Sequence, residues 1–326
     1  MTPPNATDDL RETASERSGI DAVFTAFRTA WQSRDQAALA GCFTPGAQAH
    51  LSHLGRFTDA SEIAAALLRS TAETDLTRYR ATNSYTAVSG TTAQQSAYLL
   101  GTLADERADG ALDALLFGGH FVNTYVRTPE GWRIDKIRFD LDWQHGNRDH
   151  ARGWSFAGRT PDWPDDRTPP AILSELDAPW HTVPRPTEQG SAEEQVAEAY
   201  IRYAWALDQA DFGLLTTAFT ADAKADLIPF GKLNSGRDIV AALKELRMGQ
   251  PSMQHAAGDF QVKVSGDRAT MDVFRVVPFA PTKETLDARV HGARYESRLR
   301  RENGLWKFDW LDYIPGWVQS AEHDRR

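Results

Sequence analysis

Hydrophobic residues along the chain follow two periods, and the change from one to the other occurs once in each half. From Ser18 to Trp31 the apolar residues recur at intervals of three and four, which predicts a helix. From Tyr79 onward, long segments rich in β-branched and aromatic residues are separated by turn residues, which predicts strands. The predicted strands are 79–89, 92–102, 117–127 and 132–143. Helices followed by an antiparallel meander are typical of an α+β domain.

The second half of the chain repeats this order. Ser191 and Glu194 form a capping box ahead of a long helix, and Asp211 precedes a short helix. A third helix, 239–246, comes before the next strands. Short motifs recur about 176 residues apart early in the copies and about 174 apart late: 85–90 with 262–267, and 131–134 with 304–308. A near-constant offset predicts an internal duplication.

These patterns divide the chain into two domains with connecting segments. Residues 1–17 are polar and lack an apolar period, so we expect a disordered tail. The domains are predicted at 18–145 and 191–319, followed by a short tail at 320–326. Between the domains, 146–190 is rich in proline and tryptophan. Prolines stiffen such a linker, and we expect its tryptophans to attach it to a domain surface.

Composition narrows the classes of function. The chain has 326 residues, 41% hydrophobic and 25% charged, with a net charge of -9, which is typical of a soluble globular protein. No basic cluster favours nucleic-acid binding. Cys42 is the single cysteine, which excludes an intramolecular disulfide and a cysteine-based zinc site. The polar N-terminus and the lack of a long apolar run favour neither a secretory signal nor a membrane span. We expect a cytoplasmic enzyme or binding protein.

Asp208 and His255 are the candidate catalytic residues. Ile201, Trp205 and Asp208 share one face of the long predicted helix, so the carboxylate is expected among apolar side chains. A desolvated carboxylate needs a partner, and His255, just before the next predicted strand, is a candidate. A carboxylate that accepts one imidazole N–H orients the ring as a general base near neutral pH. The alternative is a purely structural role for each residue, as a cap or a satisfied core histidine.

The ordered motifs resemble those of a known family. In the second copy they are 203–204, 208, 211–212, 219–222, 236–237, 254–255, 265–267, 294–296 and 304–308, and in the first copy 30, 35, 43–45, 89–90, 118–121 and 126–134. This series is similar to the SnoaL-like branch of the nuclear transport factor 2-like superfamily. The resemblance implies two tandem cone-shaped α+β barrels, each a curved antiparallel sheet wrapped by about three helices around an internal pocket.

The resemblance also implies an activity. In scytalone dehydratase and dehydrochlorinase, members of this branch, an Asp on the first helix holds a His, and Asp208 and His255 stand at those positions. A cofactor-independent lyase or isomerase acting on a small, largely apolar carbonyl compound is therefore expected. Ring closure of the polyketide-cyclase type needs the same groups, and a non-catalytic small-molecule binding protein is the alternative. Neither a cofactor nor a metal site is expected.

Several other residues are candidates for substrate binding. Tyr295 can donate a hydrogen bond to a developing oxyanion. Tyr203, Trp205 and Arg294 are further candidates, although strand alternation places Arg294 and Tyr295 on opposite faces.

The first copy lacks the Asp–His pair. The offset of 176 places Gln32 and Tyr79 at the two positions, and neither replaces a carboxylate or an imidazole near pH 7. We therefore expect one active and one degenerate domain. A second pocket around His120 is the alternative, and His50 and His53 are expected to be solvated. The duplication also suggests an intramolecular pseudo-dimer, or a homo-oligomer.

Overall fold

The computed structural model contains two compact units, in agreement with the duplication. It describes residues 6–71, 73–110, 112–154, 176–187, 189–249, 253–278 and 290–319. Among these, unit 1 comprises the residues up to 154 together with 176–189, and unit 2 begins at Gly190. The predicted tail at 320–326 lies outside the described residues, as do residues 155–175 of the predicted linker.

Unit 1 has three helices wrapped on one sheet, followed by a short fourth helix. Its elements are α1 Ala6–Gln32, α2 Gln36–Gly41, β1 Phe43–Leu51, β2 Gly55–Thr58, α3 Ala60–Arg69, β3 Leu76–Ser89, β4 Thr92–Glu106, β5 Leu112–Thr128, β6 Gly131–Gly146 and α4 Pro179–Thr182. The prediction of a disordered tail at 1–17 was wrong for residues 6–17, which belong to α1. Neither glycine nor proline interrupts these residues, and most of them tolerate a helix well.

The sheet of unit 1 is open and mixed. Its order is β2-β1-β6-β5-β4-β3, with β2 and β3 at the edges of the described sheet. The meander β3–β6 is antiparallel, as predicted, but β1 pairs with β6 in parallel. The expected cone-shaped α+β fold is confirmed, whereas the expected closure into a barrel is not observed.

Aromatic rings fill the concave side of this sheet. Phe24 and Phe27 of α1 contact the Phe121 ring, with ring centroids 5.5 and 6.0 Å apart. Two glycines leave room for further rings. A Cβ at Gly101 would lie 2.0 Å from the Phe117 ring, and one at Gly119 would lie 2.5 Å from the Phe139 ring.

Parts of the predicted linker belong to unit 1. A 3-10 turn at Arg148–Ala151 follows β6, and the Trp154 side chain is buried in the hydrophobic core. Trp180, on α4, stacks on Tyr85 of β3 with ring centroids 4.7 Å apart. These two tryptophans attach the flanking segments to the domain, as the sequence predicted.

Unit 2 repeats the three-helix arrangement on a second six-stranded sheet. Its elements are α5 Ala192–Asp208, α6 Phe212–Thr216, β7 Phe219–Leu227, β8 Gly231–Leu233, α7 Gly236–Met248, β9 Ala257–Ser265, β10 Arg268–Pro278, β11 Val290–Glu302 and β12 Leu305–Gln319. The sheet order, β8-β7-β12-β11-β10-β9, matches that of unit 1 strand for strand. Both hydrogen bonds of the Ser191–Glu194 capping box are present. No described helix is long and apolar enough to cross a membrane.

Candidate active site

The carboxylate of Asp208 holds His255 through two contacts. Oδ1 lies 2.5 Å from the ring Nδ1 of His255, and Oδ2 accepts the backbone N–H of the same residue at 2.6 Å. The two residues are 2% and 3% exposed. A carboxylate that binds both the backbone and the ring of one histidine fixes the position of the imidazole and favours the tautomer with its proton on Nδ1.

The end of α5 and the segment just before β9 position this pair. Asp208 is the last residue of α5, and His255 lies two residues before β9. The side chain of Arg247, in the last turn of α7, donates from Nε to the backbone carbonyl of Asp208 at 2.9 Å. That carbonyl is among the last of its helix, which no later helical N–H can satisfy. The contact therefore fixes the end of α5 at the point where the carboxylate leaves it.

The electrostatic environment favours a neutral imidazole. Burial lowers the pKa of His255 below its ordinary value, and the charge of Arg275 lowers it further. The Asp208 carboxylate raises the pKa but does not reverse the shift. At neutral pH the ring is therefore unprotonated and able to accept a proton.

Arg275 and four tyrosines form a polar cluster beside this pair. Arg275, on β10, is 7% exposed, and its Nη1 donates to the Tyr295 hydroxyl at 2.8 Å. The Tyr203 ring lies 6.0 Å from the His255 ring and 6.1 Å from the Tyr295 ring, between centroids. Tyr200 and Tyr313 complete the cluster, with ring centroids 5.8 and 5.3 Å from Tyr295. Burial raises the pKa of Tyr200 and Tyr203 well above the ordinary value, so both stay neutral.

The sequence predictions identified only part of this cluster. Tyr295 and Tyr203 lie in it, and Trp205 is buried one turn before Asp208. Arg294 does not join it, because its side chain is 38% exposed and forms an ion pair with Glu296 on the other face of β11. Arg275 was missed, together with Tyr200 and Tyr313. Its signal was a charge at an inward position of a strand, in the alternating series Met271, Val273 and Arg275.

A family model agrees with this fold and with its duplication. The model of the SnoaL-like domain matches twice, at residues 12–138 and 188–312. The two matches together cover most of the chain. The chain belongs to the SnoaL-like family. A search of curated proteins found no match.

Three solved structures similar to this SnoaL-like chain match less than half of it and nearly all of their own length. The Kfla4162 protein of Kribbella flavida is 20% identical over 43% of this chain and 98% of its own, with a TM-score of 0.38. A candidate scytalone dehydratase of Novosphingobium aromaticivorans is 16% identical over 45% of this chain and 96% of its own, with a TM-score of 0.37. An NTF2-like protein of that organism with a cystatin-like fold is 17% identical over 43% of this chain and 92% of its own, with a TM-score of 0.36.

In both SnoaL-like copies a side-chain oxygen at the end of the long helix accepts a backbone N–H, but the residues that form this hydrogen bond differ. In unit 1, the Gln32 side-chain oxygen accepts the backbone N–H of Tyr79 at 3.0 Å. This contact matches that of Asp208 with the His255 backbone. This backbone hydrogen bond forms in unit 1 although neither residue is an acid or a base near pH 7. Its contribution to the fold is therefore separate from the acid–base chemistry of the Asp–His pair.

The polar cluster around the pair is also absent from unit 1. Val273 pairs with Tyr295 across two strands of unit 2, as Ala97 pairs with Phe121 in unit 1. With the strands aligned in this way, Arg275 corresponds to Leu99. The same alignment replaces each tyrosine by phenylalanine: Tyr200 by Phe24, Tyr203 by Phe27, Tyr295 by Phe121 and Tyr313 by Phe139. Ring contacts are conserved between the copies, since the Phe24–Phe121 centroids are 5.5 Å apart and the Tyr200–Tyr295 centroids 5.8 Å. The family fold therefore forms without these hydroxyl groups and without this guanidinium.

His120 of unit 1 also forms a buried contact with an aspartate, Asp142, but on a different face of its sheet. His120 precedes Phe121 on β5, so the two side chains point to opposite faces of the sheet. Its Nδ1 lies 2.9 Å from Asp142, and its Nε2 lies 3.5 Å from Asp140. It thus lies on the sheet face away from the aromatic interior. His53, which we expected to be solvated, is buried against Phe139 and Trp154, with ring centroids 5.3 and 4.6 Å away. That prediction was wrong because the turn after β1 folds inward.

No metal centre accompanies the pair in the part of the chain that the structure describes. Within those residues, no group of three or more His, Cys, Asp and Glu side chains could hold a metal ion.

Proposed function

We propose that unit 2 is a cofactor-independent lyase or isomerase of the SnoaL-like family, acting on a small carbonyl compound. The observation that supports this most directly is the buried contact between Asp208 and His255. An imidazole held by a carboxylate, and kept neutral by its surroundings, is suited to general base catalysis. The matched positions of unit 1, Gln32 and Tyr79, keep the backbone bond but not these groups.

The reaction begins with removal of a proton from the carbon next to the carbonyl group. With Nδ1 bound to Asp208, the ring nitrogen that accepts this proton is Nε2. The electrons of the C–H bond move to the carbonyl oxygen, and an enolate forms. Tyr295 is the candidate donor to that oxygen, because its own oxygen accepts a bond from Arg275, which leaves its O–H for donation.

The fate of the enolate decides the type of reaction. If a hydroxyl group lies on the next carbon, the C–O bond breaks and protonated His255 gives its proton to the leaving hydroxide, which releases water. Return of the proton to a different carbon gives an isomer instead. Attack of the enolate carbon on an internal carbonyl group gives ring closure, as in a polyketide cyclase.

Deuterium exchange tests the step that these reactions share. Small ketones and hydroxyketones are incubated in D2O with the protein, and loss of α-protons is followed by NMR. We expect the His255→Gln variant to lose at least about 100-fold in exchange rate, the range of general base catalysis. We expect a smaller loss for Asp208→Asn, which keeps an oxygen acceptor. His50→Gln, in unit 1, is the matched control and should exchange like the wild type.

A small-molecule binding protein is the alternative outcome. In that case no compound would exchange its α-protons faster with the wild type than with His255→Gln. Ligand affinity would then survive the loss of the imidazole, and the enzyme proposal would be abandoned.

A further inference from the structure

Arg275 is a buried cation surrounded by tyrosine side chains in unit 2. Its guanidinium lies 5.5 Å from the Tyr295 ring and 6.0 Å from the Tyr313 ring, measured from Cζ to each centroid. Its Nη1 donates to the Tyr295 hydroxyl, and the Tyr200 hydroxyl also lies beside it. Among the described residues, no carboxylate lies within ion-pair distance of it. The carboxylate of Asp208 in the same site is already bound to His255.

The contacts that the structure shows compensate the burial of this charge only in part. Removing a charged group from water is offset by an opposite charge or by a full set of hydrogen bonds, and the faces of aromatic rings contribute a smaller amount. The Nε of Arg275 has no hydrogen-bond partner among the described residues, although it is buried. Nε and Nη2 form the edge of a guanidinium that binds a planar carboxylate through two parallel hydrogen bonds. Nη1, which binds Tyr295, is not on that edge.

Unit 1 shows that the fold does not require a charged residue at the position of Arg275. There the aligned residue is Leu99, which is fully buried, and phenylalanines surround it in place of tyrosines. The same backbone, with the same ring contacts, is thus completed by apolar side chains. A structural requirement for a cation at this place in the fold would apply to both copies, and it does not.

We propose that Arg275 binds a carboxylate group of the substrate, so that the compound is a small carbonyl acid rather than an uncharged molecule. This assignment rests on the function proposed above, since it places the acid group beside His255. It changes the expectation of a largely apolar ligand. The carboxylate lies against the Nε–Nη2 edge of Arg275, and the tyrosine rings enclose the rest of the molecule.

Matched pairs of acids and amides test this assignment without a known substrate. The probes are acetate, benzoate and 2-naphthoate, each compared with its neutral amide of nearly equal size. Dissociation constants are measured by calorimetry on the full-length protein. Ring ¹⁵N signals of His255, identified by their loss in His255→Gln, show whether a probe binds at this site. We expect at least one acid to bind the wild type tenfold or more tightly than its amide and to move these signals.

Variants of the arginine separate its charge from its packing. Arg275→Leu, which installs the residue found at position 99, should fold and should bind acid and amide equally. Arg275→Lys should retain part of the preference for the acid. Arg294→Gln, on the other face of the neighbouring strand, is the matched control and should keep the full preference.

The outcomes distinguish this proposal from the enzyme proposal. Equal binding of acids and amides by the wild type, a preference that survives in Arg275→Leu, or no saturable binding of any acid up to its solubility limit would each overturn the role of Arg275. The His255→Gln variant should still prefer the acid. If it does, while no compound exchanges its α-protons, the carboxylate site stands and the enzyme proposal fails.

Discussion

The carboxylate of Asp208 does two things at once, and the two can be separated experimentally. One oxygen binds the backbone of His255 and shapes the chain before β9, as the amide of Gln32 does before β3. The other binds the imidazole and has no counterpart in unit 1. An amide at position 208 would therefore keep the structural contact and lose the charge that acts on the ring.

The pKa of His255 should move in opposite directions when its two charged neighbours are changed. Asp208 raises this pKa and Arg275 lowers it, while burial sets the net direction downward. Asp208→Asn removes a negative charge that favours the imidazolium, so we expect the pKa to fall. Arg275→Leu removes a positive charge that disfavours it, so we expect the pKa to rise. NMR titration of the ring nitrogens measures both shifts.

A control completes this measurement. Asp222→Asn changes an exposed carboxylate of the same unit that pairs with Arg300, and it should leave the titration of His255 unchanged. Shifts of the same sign in the Asp208 and Arg275 variants would contradict the electrostatic description of the site.

His53 should make the protein less stable in mild acid. Burial lowers the pKa of its folded form to about 3, against an unfolded value of about 6.5. Between these values the unfolded chain binds a proton that the folded protein does not, so stability is full above pH 6.5 and falls as the pH drops toward 3. At pH 5 the loss is about 2 kcal/mol. The urea midpoint at pH 7.5 and pH 5.0 measures it.

Replacement of the histidine should remove part of this pH dependence. We expect His53→Leu to show a smaller drop in midpoint between pH 7.5 and 5.0 than the wild type. His50→Leu is the control, because its side chain is partly exposed, and it should show the same drop as the wild type. An unchanged drop in His53→Leu would mean that this ring is not the group responsible.

At the scale of elements, the sequence predicted the order of helices and strands, because periodicity and capping residues are local signals. The capping box at Ser191 and the cap at Asp211 are present as predicted. The start of α1 could not be found this way, because Ala6–Arg17 carry no apolar period. Arg275 was missed for a different reason. The role of Arg275 depends on strand registers that bring it to Tyr295, twenty residues later in sequence. Besides its inward position on the strand, the apolar Leu99 at the aligned position of unit 1 was a second signal that could have found it.

Strands of unit 1 depend on glycines that make room for aromatic rings. A Cβ at Gly101 would lie 2.0 Å from the ring of Phe117, which is itself fully buried. We therefore expect Gly101→Ala to lower the free energy of unfolding by about 1–3 kcal/mol, the usual cost of overpacking a core. Gly46→Ala is the control, since nothing lies within 4 Å of its added Cβ. Equal urea midpoints for the two variants would contradict this packing.

At the scale of the whole molecule, duplication has given two copies of one fold with different interiors. Both copies keep the three helices, the strand order and the ring contacts, which are the parts that burial of apolar surface requires. The copies differ at the positions where unit 2 has polar groups and unit 1 has hydrocarbon. The sequence predicted the missing pair in unit 1 from the offset alone. It could not predict that His53, Phe117 and Trp154 fill the interior, because those residues come from distant parts of the chain.

The number of ligand sites per chain tests this division between the units. In unit 1, the Trp154 ring lies 4.8 Å from Phe117 and 4.6 Å from His53, so aromatic side chains occupy the concave side of the sheet. We expect 2-naphthoate to titrate with a stoichiometry of one per chain, and Arg275→Leu to weaken that one binding event. Leu99→Ala opens space in unit 1 and should destabilise it without adding a second site for the acid. A stoichiometry of two in the wild type would show that unit 1 retains a site of its own, because unit 2 provides a single Arg275 edge for the carboxylate.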